Sequence, residues 1–282
     1  MAKAANEPST ELIVPEQAGA IEVFDPSMYL DDAGKGLQNA TSKDFALPFI
    51  YLLQDLSPQV KKREPTYVQG AEPGMFCVGN TNELLNELRF ISVDYEMVYI
   101  EWRPRNAGGG LVRVSQTMEE AVRHKIPDYR GTDKSQLARN TFIADTANYY
   151  GLYLSEQTET WEQGMLSWTS TKLKESRRWN SKMRAVKIQG PKGKVDAPTY
   201  SRIYRITSVS EKNDKGTYFI PKVEEIEGVN GWVRNANVFK AAKTFFEDRE
   251  AGKLVVDLSR STGGGEEIVV EGEFPDDGEP AM

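Results

Sequence analysis

Eleven cations fall between residues 172 and 205: Lys172, Lys174, Arg177, Arg178, Lys182, Arg184, Lys187, Lys192, Lys194, Arg202 and Arg205. Only Glu175 and Asp196 oppose them, and Trp168, Trp179, Tyr200 and Tyr204 are set among them. The chemistry open to such residues is recognition: cations follow a phosphate backbone, and flat rings stack on unpaired bases. A second group, Trp102, Arg103, Arg105 and Arg113, flanks the glycine run 108–110. Glycines that can adopt positive φ let such a loop mould itself to a ligand. No Lys-Ser/Thr follows the run, so it does not make a phosphate cradle of the P-loop kind.

Bond-making chemistry has few candidates. His124 is the single histidine and Cys77 the single cysteine. That removes histidine- and cysteine-based zinc sites, and leaves no basis for Ser-His or Cys-His pairs. Neither Glu-x-Lys nor Asp-x-Lys, common in metal-dependent nucleases, occurs in the chain. Asp94, Glu96 and Glu101 alternate along an expected strand, a pattern that reads as a solvated face. The expectation is a non-enzymatic protein with no cofactor and no metal.

The formal net charge of −7 conceals an uneven distribution. Residues 1–34 carry a net −6, and the last residues, with Glu266, Glu267, Glu271, Glu273, Asp276, Asp277 and Glu279, carry −7. Removing both ends leaves +6 on residues 35–265, so the acidic total says little about the binding face of the body. No stretch approaches the ~18 apolar residues that span a bilayer, and the polar N-terminus lacks a signal-peptide core. With one cysteine the chain suits a reducing cytosol, and the expected location is cytoplasmic, without membrane contact.

The elements that must position these residues read as follows. The apolar run 45–53 anchors the core, and Glu72-Pro73-Gly74 turns the chain into a strand at 75–78. Residues 88–102, rich in β-branched and aromatic side chains, predict a long, bulged strand paired with 111–114. A helix is expected over 133–150, with Leu137, Thr141, Ala144 and Asn148 on one stripe, followed by strands at 152–154 and 165–168. The cationic segment 171–187 predicts a second helix whose apolar seam is Trp179, Met183 and Val186, which places Trp179 in the core. A hairpin over 200–223 turns at 211–216. A last helix over 237–251 turns Val238, Ala241, Ala242, Phe245 and Phe246 inward. The Ser/Gly-rich stretch 259–265 has a linker's composition and leads to the acidic tail.

A basic, aromatic, β-rich body with an acidic C-terminal tail, together with the runs 44–49 (DFALPF) and 168–174 (WTSTKLK), resembles the single-stranded DNA-binding proteins of tailed phages. The resemblance implies an α+β fold: an OB-like antiparallel β-barrel elaborated with helices, with disordered termini. The domains are then an acidic arm (1–40), a binding body (41–258) and a tail (259–282). It further implies a role coating single-stranded DNA in phage replication, recombination and repair. The tail, through Glu273, Phe274, Asp276 and Asp277, would recruit polymerase or helicase partners or cover the basic face. A homo-oligomer is a further expectation. The alternatives are a recombination mediator or annealing protein, and a virion structural protein without DNA affinity. The expected DNA contacts are Trp102, Arg103, Arg105, Arg113, Trp168, Lys172, Lys174, Arg177, Arg178, Lys182, Arg184, Lys187, Tyr200, Arg202, Tyr204 and Arg205.

Overall fold

A computed structural model describes residues 26–32, 35–39, 46–103, 109–125, 141–213, 216–254, 256 and 258. The chain divides into two compact units, Met1–Thr41 and Ser42–Met282. In the first, Pro26–Asp32 forms a 3-10 turn, and Lys35 pairs with Asp32.

The second unit is α+β and built largely from antiparallel strands. Strands β1 (Ile50–Leu52), β2 (Phe76–Val78) and β3 (Leu84–Leu85) form a small antiparallel sheet. The main sheet begins with β4 (Leu88–Trp102) and β5 (Leu111–Ser115), followed by helix α1 (Met118–Lys125), β6 (Phe142–Leu154) and β7 (Trp161–Thr169). Helix α2 (Leu173–Ala185) comes next, then a separate two-stranded ribbon of β8 (Lys187–Gly190) and β9 (Gly193–Asp196). The hairpin β10 (Tyr204–Asn213) and β11 (Gly216–Glu225) returns to the main sheet, and α3 (Ala236–Glu250) closes the described body. The strand order is β11-β10-β4-β6-β7, with β5 also paired to β4. Among the described residues no helix is long and apolar enough to cross a membrane.

Most strand and helix expectations hold: β2, β4 with β5, the β10–β11 hairpin, α2 and α3 stand where the residue pattern places them. The predicted bulge in β4 lies between Ser92 and Asp94, opposite Gly151 and Tyr150. Gly151 is required there, because a Cβ would sit 2.2 Å from the Ile91 carbonyl oxygen and 2.5 Å from the Phe90 ring. The helix expected over 133–150 is a correction. Residues 133–140 lie outside the described part, and 142–150 belong to the thirteen-residue strand β6. Both faces of β6 are covered, one by the core cluster around Tyr149 and Tyr153, the other by the cluster holding Tyr150 and Leu152. A strand buried on both faces shows no alternation of apolar and polar residues, so its period is hidden. Ala241 of α3, expected inward, is exposed, while Ala242 and Phe245 are buried.

The main sheet does not close on itself: β7 and β11 are its ends, and no barrel pairing joins them among the described residues. Between them runs β1. Phe49 bridges Met165 of β7 in parallel, with the Met165 N–H donating to the Pro48 carbonyl at 2.9 Å. On the other side, the Gln54 carboxamide accepts from the Phe219 N–H at 2.8 Å and donates to the Phe219 carbonyl at 2.9 Å.

That contact is one of three features that close the outer edge of β11. Two residues on, Pro221 has no N–H to offer. Two further, α2 takes both backbone groups of Val223: Glu175 Oε1 accepts its N–H at 2.9 Å, and Lys182 Nζ donates to its carbonyl at 2.7 Å. Glu175 and Lys182 are seven residues apart, two helical turns, so both reach the same side of α2.

Candidate nucleic-acid interface

Helix α2 is fixed by its apolar side. Trp179 lies at the centre of an aromatic box, stacked on Tyr149 with centroids 4.3 Å apart and flanked by Trp168 at 5.4 Å, Tyr204 at 5.5 Å and Phe90 at 6.0 Å. The Tyr149 hydroxyl ties the sheet to the helix, lying 3.1 Å from the Ser176 carbonyl oxygen, 2.7 Å from Ser176 Oγ and 2.9 Å from Asn180 Oδ1. Burial pushes the Tyr204 phenol up to about 12 and raises that of Tyr149 further.

This arrangement corrects the stacking expectation for several rings. Trp168 is 2% exposed and Tyr204 1%, and both form walls of the box. Trp102 is 6% exposed, in a cluster with Val98, Ile100 and Ala144. Tyr200 packs on Phe239 and Phe246 of α3, at 5.4 and 6.0 Å. Rings buried as Trp102, Trp168 and Tyr204 are have no face for a base, whereas Tyr200 is half-buried, with one side against α3. Trp179, placed in the core from its position on the seam, is there.

The cations divide in the same way. Lys172 is buried at the start of α2, and Lys182 is spent on Val223. Arg202 is buried, donating from Nη2 to the Ile226 carbonyl at 2.9 Å, with its guanidinium carbon 4.7 Å from the centroid of the Trp232 ring. These three are parts of the fold. Arg178 pairs with Glu175 at 3.4 Å, Arg205 with Glu224, and Lys187 with Asp196. Lys222 and Arg205 together hold the Glu224 carboxyl down to about 2. Arg103 and Arg113 are exposed near the β4–β5 end, with Arg113 opposite Glu101. Arg105 and the tail residues Glu273, Phe274, Asp276 and Asp277 lie outside the described residues.

What remains together is the outer stripe of α2. Lys174, Arg177, Ser181 and Arg184 recur at intervals of three and four, and all are exposed. From Lys174 to Arg184 the stripe runs about 15 Å along the helix. It leads directly into the β8–β9 ribbon, where Lys192 and Lys194 are also exposed. Sequence reasoning extends the helix to Lys187 and misses this ribbon. The signal is present in the alternation from Lys187 to Gln189 and the Gly-Pro-Lys-Gly turn at 190–193.

The outer face of the main sheet presents different chemistry. Asp94 and Glu96 project there and are held by Arg249 of α3 at 3.3 Å each, so they form an ion-paired, helix-covered patch and not the solvated face expected. Glu101 is buried and accepts from Thr141 Oγ1 at 2.6 Å. A cleft of about 560 Å³ beside β10 is lined by Trp161, Arg89 and Arg205, but also by Glu87, Glu225 and Glu227, so its charges largely cancel. Among the described residues no group of three or more His, Cys, Asp or Glu side chains is placed to hold a metal ion.

No curated protein and no solved structure matches the chain. Residues 17–255 match the family model of the Pam3 phage gp34-like proteins, a span that takes in the main sheet, α2, the ribbon and α3, and the chain belongs to that phage protein family.

Proposed function

We propose that the chain is a non-catalytic binder of single-stranded nucleic acid, acting in phage DNA replication, recombination or repair, and that its contact surface is the outer stripe of α2. The observation that carries this reading is the division of one helix. Glu175, Trp179 and Lys182 are used to dock it, while Lys174, Arg177 and Arg184 stand in solvent without an ion pair among the described residues. Such a row tracks phosphates without reading sequence.

An OB-like reading of the body is supported by order and position. A three-strand meander (β4, β6, β7) is followed by α2 and then by the β10–β11 hairpin, which returns beside β4. This order resembles that of a partly open five-stranded barrel, in which a helix in the place of α2 would plug the interior through Trp179. The intervening β1 is a departure. A second is that the outer sheet face, used by many such folds for ligands, here carries α3 and the carboxylates of Asp94 and Glu96.

Titration against single- and double-stranded DNA, with and without Mg²⁺, tests the function. Tight binding to single strands without cleavage supports it. Strand annealing in the same tubes would favour the mediator reading. Absence of DNA affinity at low salt would sink it and favour a virion structural role.

A further inference from the structure

The β8–β9 ribbon forms a sheet of its own and, among the described residues, makes no pairing with the main sheet. It is joined to the body through Val186, whose carbonyl accepts from the Ala197 N–H at 3.1 Å, at the point where α2 ends. All eight of its strand residues are exposed or half-buried, including Ile188 at 38% and Val195 at 48%. These two are cross-strand partners and share one face, whereas Lys187, Gln189, Lys194 and Asp196 share the other, and Lys192 stands at the tip. A ribbon kept only for solubility has no use for an exposed aliphatic pair. A surface for unpaired bases would present rings in place of Ile and Val.

Its dimensions suit another target. Strands of four residues reach about 13 Å and lie about 4.8 Å apart. The major groove of B-form DNA, about 12 Å wide and about 8.5 Å deep, admits a two-stranded ribbon. Within it, aliphatic side chains contact thymine methyl groups, and lysines reach the phosphates of the groove walls.

We propose that the β8–β9 ribbon grips duplex DNA, so that the preferred substrate is a junction at which a single strand on α2 continues into a duplex held by the ribbon. The proposal rests on the single-strand reading of α2 for one half of that junction and on the ribbon alone for the other.

The test compares three labelled DNAs: a single strand, a blunt duplex, and a duplex bearing a single-stranded overhang. The proteins are the full chain, a Lys192→Ala/Lys194→Ala variant and an Ile188→Ser/Val195→Ser variant. The full chain should bind the overhang substrate more tightly than either other DNA. Removing two phosphate-facing cations should weaken overhang binding by about tenfold and flatten its log–log salt slope by about 1.8. The aliphatic variant should lose the same preference, and both should retain wild-type affinity for the single strand and an unchanged melting temperature. No preference of the full chain for the overhang, or an equal loss on single strand and overhang, overturns the ribbon's role. Unaltered DNA binding with loss of self-association in the aliphatic variant also overturns it and makes the pair a contact between copies. Duplex binding that depends on the ribbon, with no single-strand binding at all, would keep the ribbon's role and remove that of α2.

Discussion

Arg249 lies over the ring of Tyr150, its guanidinium carbon 3.5 Å from the ring centroid, and from there its Nε and Nη2 reach Asp94 and Glu96. The Tyr150 hydroxyl donates to Glu96 at 3.0 Å, so one side chain of α3 is tied to three residues of the sheet face. Arg249→Ala would leave two half-buried carboxylates without their cation. The expected loss is about 2 kcal/mol, below the ~3–5 kcal/mol typical when a fully buried pair is broken, because these carboxylates keep some solvent. Urea unfolding measures it, and adding Asp94→Asn with Glu96→Gln should recover part of the loss. A loss as large in that triple variant would mean that the charges are not the cause.

Replacing Arg177 and Arg184 by Ala should weaken single-strand binding and reduce the slope of log K against log salt by about 0.7 for each phosphate no longer neutralised. Arg178→Ala should do less, since Arg178 is paired with Glu175. Melting curves should be superimposable in all three cases. Equal effects at 177, 178 and 184 would show that overall charge matters and the stripe does not.

Trp102→Ala and Trp168→Ala should each cost about 3–5 kcal/mol of stability, the range for truncating a buried large aromatic. At temperatures where the variants remain folded, their DNA affinity should match wild type. A variant that melts normally but binds poorly would return that ring to the binding surface.

Alkali should unfold the protein. Burial holds Tyr204 and Tyr153 up to about 12, against an ordinary value of 10.0, and raises Tyr149 and Tyr150 as well. The unfolded chain therefore loses these protons first, and the stability they confer is full below pH 10 and falls as pH rises towards 12. Tyrosinate absorbance and the loss of far-UV ellipticity should rise together. Ionisation of all the tyrosines near pH 10 with the fold intact would contradict the burial.

Two truncations separate the tail from the body. Leu254 and Val256 pack against the cluster beneath α3, and Leu258 joins it to the cluster containing Trp102. A chain ending at 258 should therefore melt like full length, whereas one ending at 253 should melt earlier. The seven carboxylates beyond 265 are covalently joined to the body, so any competition they offer is independent of bulk concentration. Their removal should tighten single-strand binding at low salt and have little effect at high salt. Identical affinities at both salts would show that the tail does not compete.

Much of this fold is legible in the residues, and what they conceal has a physical cause. The strands β4, β10 and β11 announce themselves because β-branched and aromatic runs end in Gly-rich turns. Trp179 can be placed inside from its spacing with Met183 on a 3.6-residue period. The aromatic–cation neighbours mislead because adjacency along a strand is not proximity on a surface. Trp102 and Arg103, like Tyr204 and Arg205, are consecutive, and successive strand residues face opposite sides. The ring therefore goes in when the cation goes out. Lys182 and Arg202 cannot be withdrawn from the binding set by sequence alone, since their partners Val223 and Ile226 are far along the chain.

On the proposed function, copies loaded side by side along a strand would be held at contact distance for as long as the strand lasts. At such local concentrations an open sheet edge is the seed of a fibre. Along β11, a carboxamide at Phe219, a proline at 221 and a carboxylate with an ammonium at Val223 leave a neighbouring copy little to pair with. The helix proposed to face the nucleic acid is thus the one that also closes this edge against other copies.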